Sequence, residues 1–65
     1  SRFVMIWVTD VETKNKVALN PKHIVAVFIA HDGPHVGKTA INLVMGQLVV
    51  EESDFDVVAS IKAEA

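Results

Sequence analysis

Three short stretches of this chain carry residue types that could do chemistry. Residues 32–39 read DGPHVGKT; they follow the apolar run IVAVFIA and end in the Gly-Lys-Thr of a phosphate-binding loop. Such a loop needs Gly, four residues, then Gly-Lys-Ser/Thr, so that consecutive backbone N–H groups wrap the phosphates. Here only three residues separate Gly33 from Gly37, and the position for the first glycine holds Asp32, whose charge repels phosphate. The chain should also run on into a helix whose N-terminus faces the anion, whereas TAINLVM has strand character. The stretch is therefore expected to be a plain loop between two strands.

His31, Asp32 and His35 are the second candidate, since imidazole and carboxylate suit zinc, nickel or copper. Pro34 and the flanking glycines do not fix a ligand geometry, and a fourth donor would have to come from His23 or another subunit. Exposed loop histidines are the expectation, with no metal. The third candidate is Glu51-Glu52. Acid–base catalysis by two carboxyls needs them to converge in one pocket, but adjacent strand residues point to opposite faces. Their expected role is to end a strand with solvated charge. With no cysteine and no arguable Ser-His-Asp set, the reading is of a non-enzyme with no catalytic residues and no cofactor.

These candidates sit on a thin scaffold. Sixty-five residues form one domain at most, and domains below roughly 80 residues usually need disulfides, a metal or self-association. The lack of cysteine removes disulfides and fits a reducing, cytoplasmic setting. No apolar run approaches the roughly 20 residues of a membrane helix. Ser1 in place of Met leaves open a removed leader.

FVMIWVT, residues 3–9, is β-branched and aromatic and predicts a strand. A polar turn over Thr13–Lys16 leads to a second extended piece at Val17–Leu19. Asn20-Pro21 interrupts it, because proline donates nothing to a sheet ladder and biases its predecessor away from helix. Ile24–Ala30 and Thr39–Met45 follow as strands, and Met45-Gly46-Gln47 suggests a tight turn into Leu48–Val50. Ser53 then caps a helix, with Asp56 in the capping-box place and Val57, Val58 and Ile61 on one face beside Phe55. The fold class is α+β: a small antiparallel β-sheet or partly open barrel, β-β-β-β-α, with an extra strand if the Pro21 break divides one.

Both faces of the strands are apolar. Phe3, Met5 and Trp7 oppose Val4, Ile6 and Val8, while Ile24, Ala26, Phe28 and Ala30 oppose Val25, Val27 and Ile29. A half-exposed strand alternates apolar with polar residues, whereas one buried on both faces does not. One helix covers one face of such a sheet. At about 25 cal/mol per Å², three or four large side chains left in water forgo several kcal/mol, comparable with the stability of a small domain. The expectation is a homo-oligomer meeting through Val4, Ile6, Val8, Val25, Val27 and Ile29, with Trp7 and Phe28 as the candidate lining of a ligand pocket at the subunit boundary.

The net charge is −2 and the pI about 5.8, which argues against nucleic acid as the main partner, since phosphate binding feeds on Lys and Arg. Residues 1–45 carry a formal +2 and residues 46–65 carry −4. A head-to-tail contact between subunits would use that asymmetry, but a solvated acidic helix entrance explains it as well and is the plainer reading.

From residue 17 onward, VALNPKHIVAV, TAINLVMGQLVVEES and DFDVVASI together resemble the small FlbD/SwrD-type flagellar and swarming-motility proteins. The matching positions are Leu19, Asn20, Pro21, Ile24, Thr39, Ile41, Leu43, Gly46, Val50, Glu52, Ser53, Val57 or Val58, and Ile61. The resemblance implies a non-enzymatic cytoplasmic accessory protein acting on the flagellar motor or its assembly, and it carries over no catalytic residue. Two rival readings stand beside this protein-interaction module. One is an oligomeric protein of an orphan or mobile-element family that binds a small ligand at the subunit boundary. The other is a nucleic-acid-binding ring or dimer using Lys14, Lys16, Lys22 and Lys38.

Overall fold

The computed structural model describes residues 4–64. Five strands and one helix follow in the order β1 (Ile6–Thr9), β2 (Lys16–Leu19), β3 (Ile24–Ile29), β4 (Thr39–Leu43), β5 (Gly46–Val50) and α1 (Asp54–Ala63), with a 3-10 turn at Pro21–His23 between β2 and β3. The class is α+β. The Pro21 break divides one extended stretch into β2 and β3: Asn20 caps the turn, its Oδ1 accepting the Lys22 backbone N–H at 2.9 Å. Phe3, expected in the first strand, lies outside the described residues.

The strands form two antiparallel sheets, β1-β2 and β3-β4-β5. A seam ties them where Asp10 bridges Val50. There the Val11 N–H donates to the Val49 carbonyl at 3.0 Å and the Glu51 N–H to the Thr9 carbonyl at 2.9 Å. The sheets do not close, so the molecule is partly open. Ile6, Val8 and Leu19 from the first sheet meet Ile41 and Val50 from the second, and Val57 of α1 packs among them.

This arrangement corrects the expectation that the helix alone covers one sheet face and the other is left for a second subunit. The two sheets cover each other's inner sides, and the loop between β3 and β4 folds over part of the outer side, where Ala40 is buried and Phe28 and Val49 are half-buried. Gly37, at φ 88°, turns that loop back so that its N–H donates to the Ala30 carbonyl at 2.9 Å. A side chain is rarely tolerated at such a φ.

Three local features differ from the sequence reading. The turn after β4 is Val44-Met45, since Leu43 pairs with Gly46 and β5 begins there. β3 carries an irregularity between Ile24 and Ala26, so Ile24 and Val27 both pack against the core and Val25 is left 70% exposed. On α1, Val57 is buried and Ile61 packs against the core, but Val58 and Phe55 are exposed. Ser53 caps this helix as expected: its Oγ accepts the Asp56 N–H at 3.0 Å, with Asp54 and Asp56 in the positive first turn.

Candidate functional site

Every strand runs between two ends of the molecule. One end holds the β1–β2 turn, the β3–β4 loop and the β5–α1 junction; the other holds the start of β1, the β2–β3 turn and the Val44-Met45 hairpin tip.

The first end is a polar clasp, and its centre is the pair Glu51-Glu52. The Glu51 carboxylate accepts from Lys14 Nζ of the β1–β2 turn and, at 2.9 Å, from Lys38 Nζ at the end of the β3–β4 loop. Hydrogen bonds from these two ammonium groups hold its pKa down at about 2. Glu52 turns to the first sheet. Its Oε1 accepts the Thr9 backbone N–H at 2.8 Å and its Oε2 the Thr9 hydroxyl at 2.9 Å. Burial pushes the Glu52 carboxyl up, but the Thr9 donors and the nearby Lys16 outweigh it, and the group lies below the usual carboxylate range. The two glutamates are therefore more than solvated strand-enders. They fasten the two sheets and two loops together, and their side chains do not converge on a shared pocket.

His31, Asp32 and His35 all line a cavity of about 350 Å³ beneath the β3–β4 loop, floored by Phe28, Ala40 and Val49. His35 Nε2 lies 3.2 Å from Glu12 Oε2, which links the loop to the β1–β2 turn. Among the described residues no three His, Asp or Glu side chains gather as a metal set. DGPHVGKT is a loop that delivers the chain into strand β4, and Lys38 within it is committed to Glu51.

The second end is apolar. A groove of about 470 Å³ opens there, with Met5 from the segment leading into β1, Ala18 and Leu19 from β2, and Leu43, Val44 and Met45 from the end of β4 and the hairpin tip. Its polar groups come from Asn20 and His23, and the Val44 N–H donates to the His23 carbonyl at 3.0 Å, fixing the tip against the β2–β3 turn. Val44 is 69% exposed and Met45 95%. Two-residue turns usually carry Gly, Asn, Asp or Pro, so Val-Met at a solvent-exposed tip has no conformational rationale. Lys14 is the only non-glycine residue with positive φ among the described residues, so neither Val44 nor Met45 adopts a hairpin-type left-handed conformation.

The residues expected to form the oligomer interface divide. Ile6 and Val8 belong to the core, and Val27 packs against it, so they are withdrawn from any interface. Val4 is half-buried, while Val25 and Ile29 stay exposed. On β1 the outward face is that of Trp7, which is 64% exposed and pairs with Ala18 across the sheet. Phe28 lines the cavity under the loop, and Trp7 lines neither of the two cavities described above. What the sequence reading missed is the groove. Its signal was the unusual Val-Met composition of the tip, which a strand extended to Met45 concealed.

Compared with family models, curated proteins and solved structures, the chain matches none.

Proposed function

We propose that this chain is a non-enzymatic, self-associating protein-interaction module, placed by its resemblance to FlbD/SwrD-type proteins as a cytoplasmic accessory of flagellar motility. The observation that carries the self-association is the apolar surface left in water after both sheets and the helix are packed. Trp7, Val25, Val44, Met45 and Phe55 are all well exposed on a chain of only 65 residues. Exposed apolar surface concentrated in patches marks an interaction site, and aromatic and Met side chains are the types that interface centres favour. Sedimentation velocity from low to high micromolar protein tests this: a shift to heavier species is expected, and a folded monomer throughout overturns it. The motility assignment has its own test. Loss of the gene should reduce swarming of the host on soft agar; unchanged swarming removes that assignment and leaves self-association standing.

One observation favours a second reading. The cavity under the β3–β4 loop offers an aromatic floor and titratable rim within the roughly 300–1,000 Å³ range of small-ligand sites. Native mass spectrometry of the purified protein would show a retained small molecule, and a spectrum of bare protein would set this reading aside. The nucleic-acid reading has weaker support, because Lys14 and Lys38 of its four lysines are engaged by Glu51.

A further inference from the structure

The two ends of the molecule differ in charge as well as in polarity. Counted with the first turn of α1 and the first residue of β2, the clasp end holds seven of the eight acidic residues against three lysines, a formal net of −4. The groove end holds Lys22 and His23 and no acidic residue in its turn or hairpin tip. Lys22 forms no ion pair among the described residues.

The acidic end also carries the chain's most exposed aromatic ring among the described residues that is placed on a rigid element. Phe55 sits in the first turn of α1, 78% exposed, between Asp54 and Asp56. Val58, one turn on, is exposed beside it. Val57 and Ile61 hold the helix to the core, while Phe55 and the partly exposed Val58 lie outside that buried contact. One end thus presents an apolar ridge flanked by carboxylates. The other presents an apolar groove lined in part by His23, with Lys22 next to it in the β2–β3 turn.

Building on the self-association proposed above, we propose that the partner in the groove is a second copy of this chain, which inserts the Phe55–Val58 ridge of its helix between Met5 and Ala18 on one side and the hairpin tip at Val44-Met45 on the other. Lys22 of one copy meets Asp54 and Asp56 of the next. The contact is head-to-tail, joining two different patches. Each copy therefore keeps one free ridge or groove after a single contact, and growth proceeds until a ring closes or a filament extends. Charge complementarity fixes the direction, since ridge against ridge or groove against groove sets like charges together. The Met45 side chain at the tip suits this role, being flexible enough to pack around an aromatic ring.

A mixing experiment separates this arrangement from a symmetric one. Full-length Phe55→Glu lacks a working ridge and Met45→Glu lacks a working groove; both substitutions fall on exposed side chains. Sedimentation velocity should show each variant as a monomer and their equimolar mixture as a heterodimer with nothing larger, because one intact ridge and one intact groove remain. Wild-type protein should assemble beyond the dimer. Oligomers that persist in either variant, or a mixture that stays monomeric, overturn the head-to-tail contact while leaving self-association intact. A monomeric wild type overturns both. Should either glutamate variant lose its circular dichroism spectrum, Phe55→Ala and Met45→Ser replace them. Each is then expected to weaken association by about tenfold or more, as a central contact does, and unchanged association counts against the proposal. Lys22→Glu should weaken assembly, and Asp54→Lys with Asp56→Lys on the ridge partner should restore it; no restoration removes the charge pairing.

Discussion

The clasp end and the groove end are built from the same five strands, yet they solve opposite problems. At the clasp, charged side chains find partners within the chain: Glu51 takes two lysines, Glu52 takes two donors from Thr9, and His35 reaches Glu12. At the groove, apolar side chains remain in water, with the hairpin tip almost bare. A polar group can be satisfied by one well-placed neighbour, so a short turn suffices. An apolar groove needs surface, and a 65-residue chain has used its surface on the core. The contrast teaches that the satisfied polar network and the open apolar groove lie at opposite ends of the strands, while Val36 and Phe55 leave some apolar surface exposed at the clasp end too.

Substitutions can break this division of labour. The largest effect should come from Ile41→Ala, midway along β4 and fully buried, where both ends depend on the same core. A loss of about 2–5 kcal/mol is expected in urea denaturation, and self-association should vanish with the fold. Next comes Glu52→Ala, which strips the Thr9 N–H and hydroxyl of their acceptor. An unmade, part-buried hydrogen bond costs about 1–3 kcal/mol, so stability should fall by that order while groove-dependent association survives wherever the protein is folded. Ser53→Ala should cost about 1 kcal/mol through loss of the helix cap, again read by urea denaturation.

The pH dependence sharpens the same comparison. The Glu51 pKa lies at about 2 in the fold against an ordinary 4.5, so the unfolded chain binds more protons between those values. The stabilisation is complete above pH 4.5 and is lost as pH falls through that interval toward 2. Glu52, also lowered, acts in the same direction. Melting temperature followed from pH 6 to pH 2 should drop, and Glu51→Gln should flatten the slope. The smallest effect on stability belongs to Met45→Ser. An exposed tip residue should change unfolding free energy by no more than about 0.5 kcal/mol, although assembly is expected to weaken. Loss of stability there would show that the tip is structural and would dissolve the contrast between the ends.

Much of the fold was legible because its signals are local. Asn20-Pro21 marks the break between β2 and β3 through the missing proline donor, and Ser53 marks the helix start through one side-chain acceptor. The Gly-rich loop ahead of Thr39 is set by left-handed glycines at 33 and 37. The outward face of β1 was not legible. Val4, Ile6 and Val8 are as apolar as Met5 and Trp7, so period-two alternation offers two equal faces and no polar residue breaks the tie. β3 misled for a related reason: the irregularity after Ile24 shifts the alternation by one residue, and nothing in IVAVFI announces it.

The candidate site was even less local. Lys14 and Glu51 are 37 residues apart and Thr9 and Glu52 are 43 apart, so the clasp exists only once the β1–β5 seam has formed. The groove likewise joins Met5 to Met45 from distant parts of the chain. What the sequence by itself determined was the set of elements, their caps and breaks, and an apolar content too high for one small core. Only the tertiary structure decided which of two equivalent strand faces turned inward, which acids met which lysines, and where the surplus apolar surface gathered. The physical reason is that propensity and capping act within one turn or one strand, whereas register, burial and ion pairing are fixed by contacts between segments that the sequence keeps far apart.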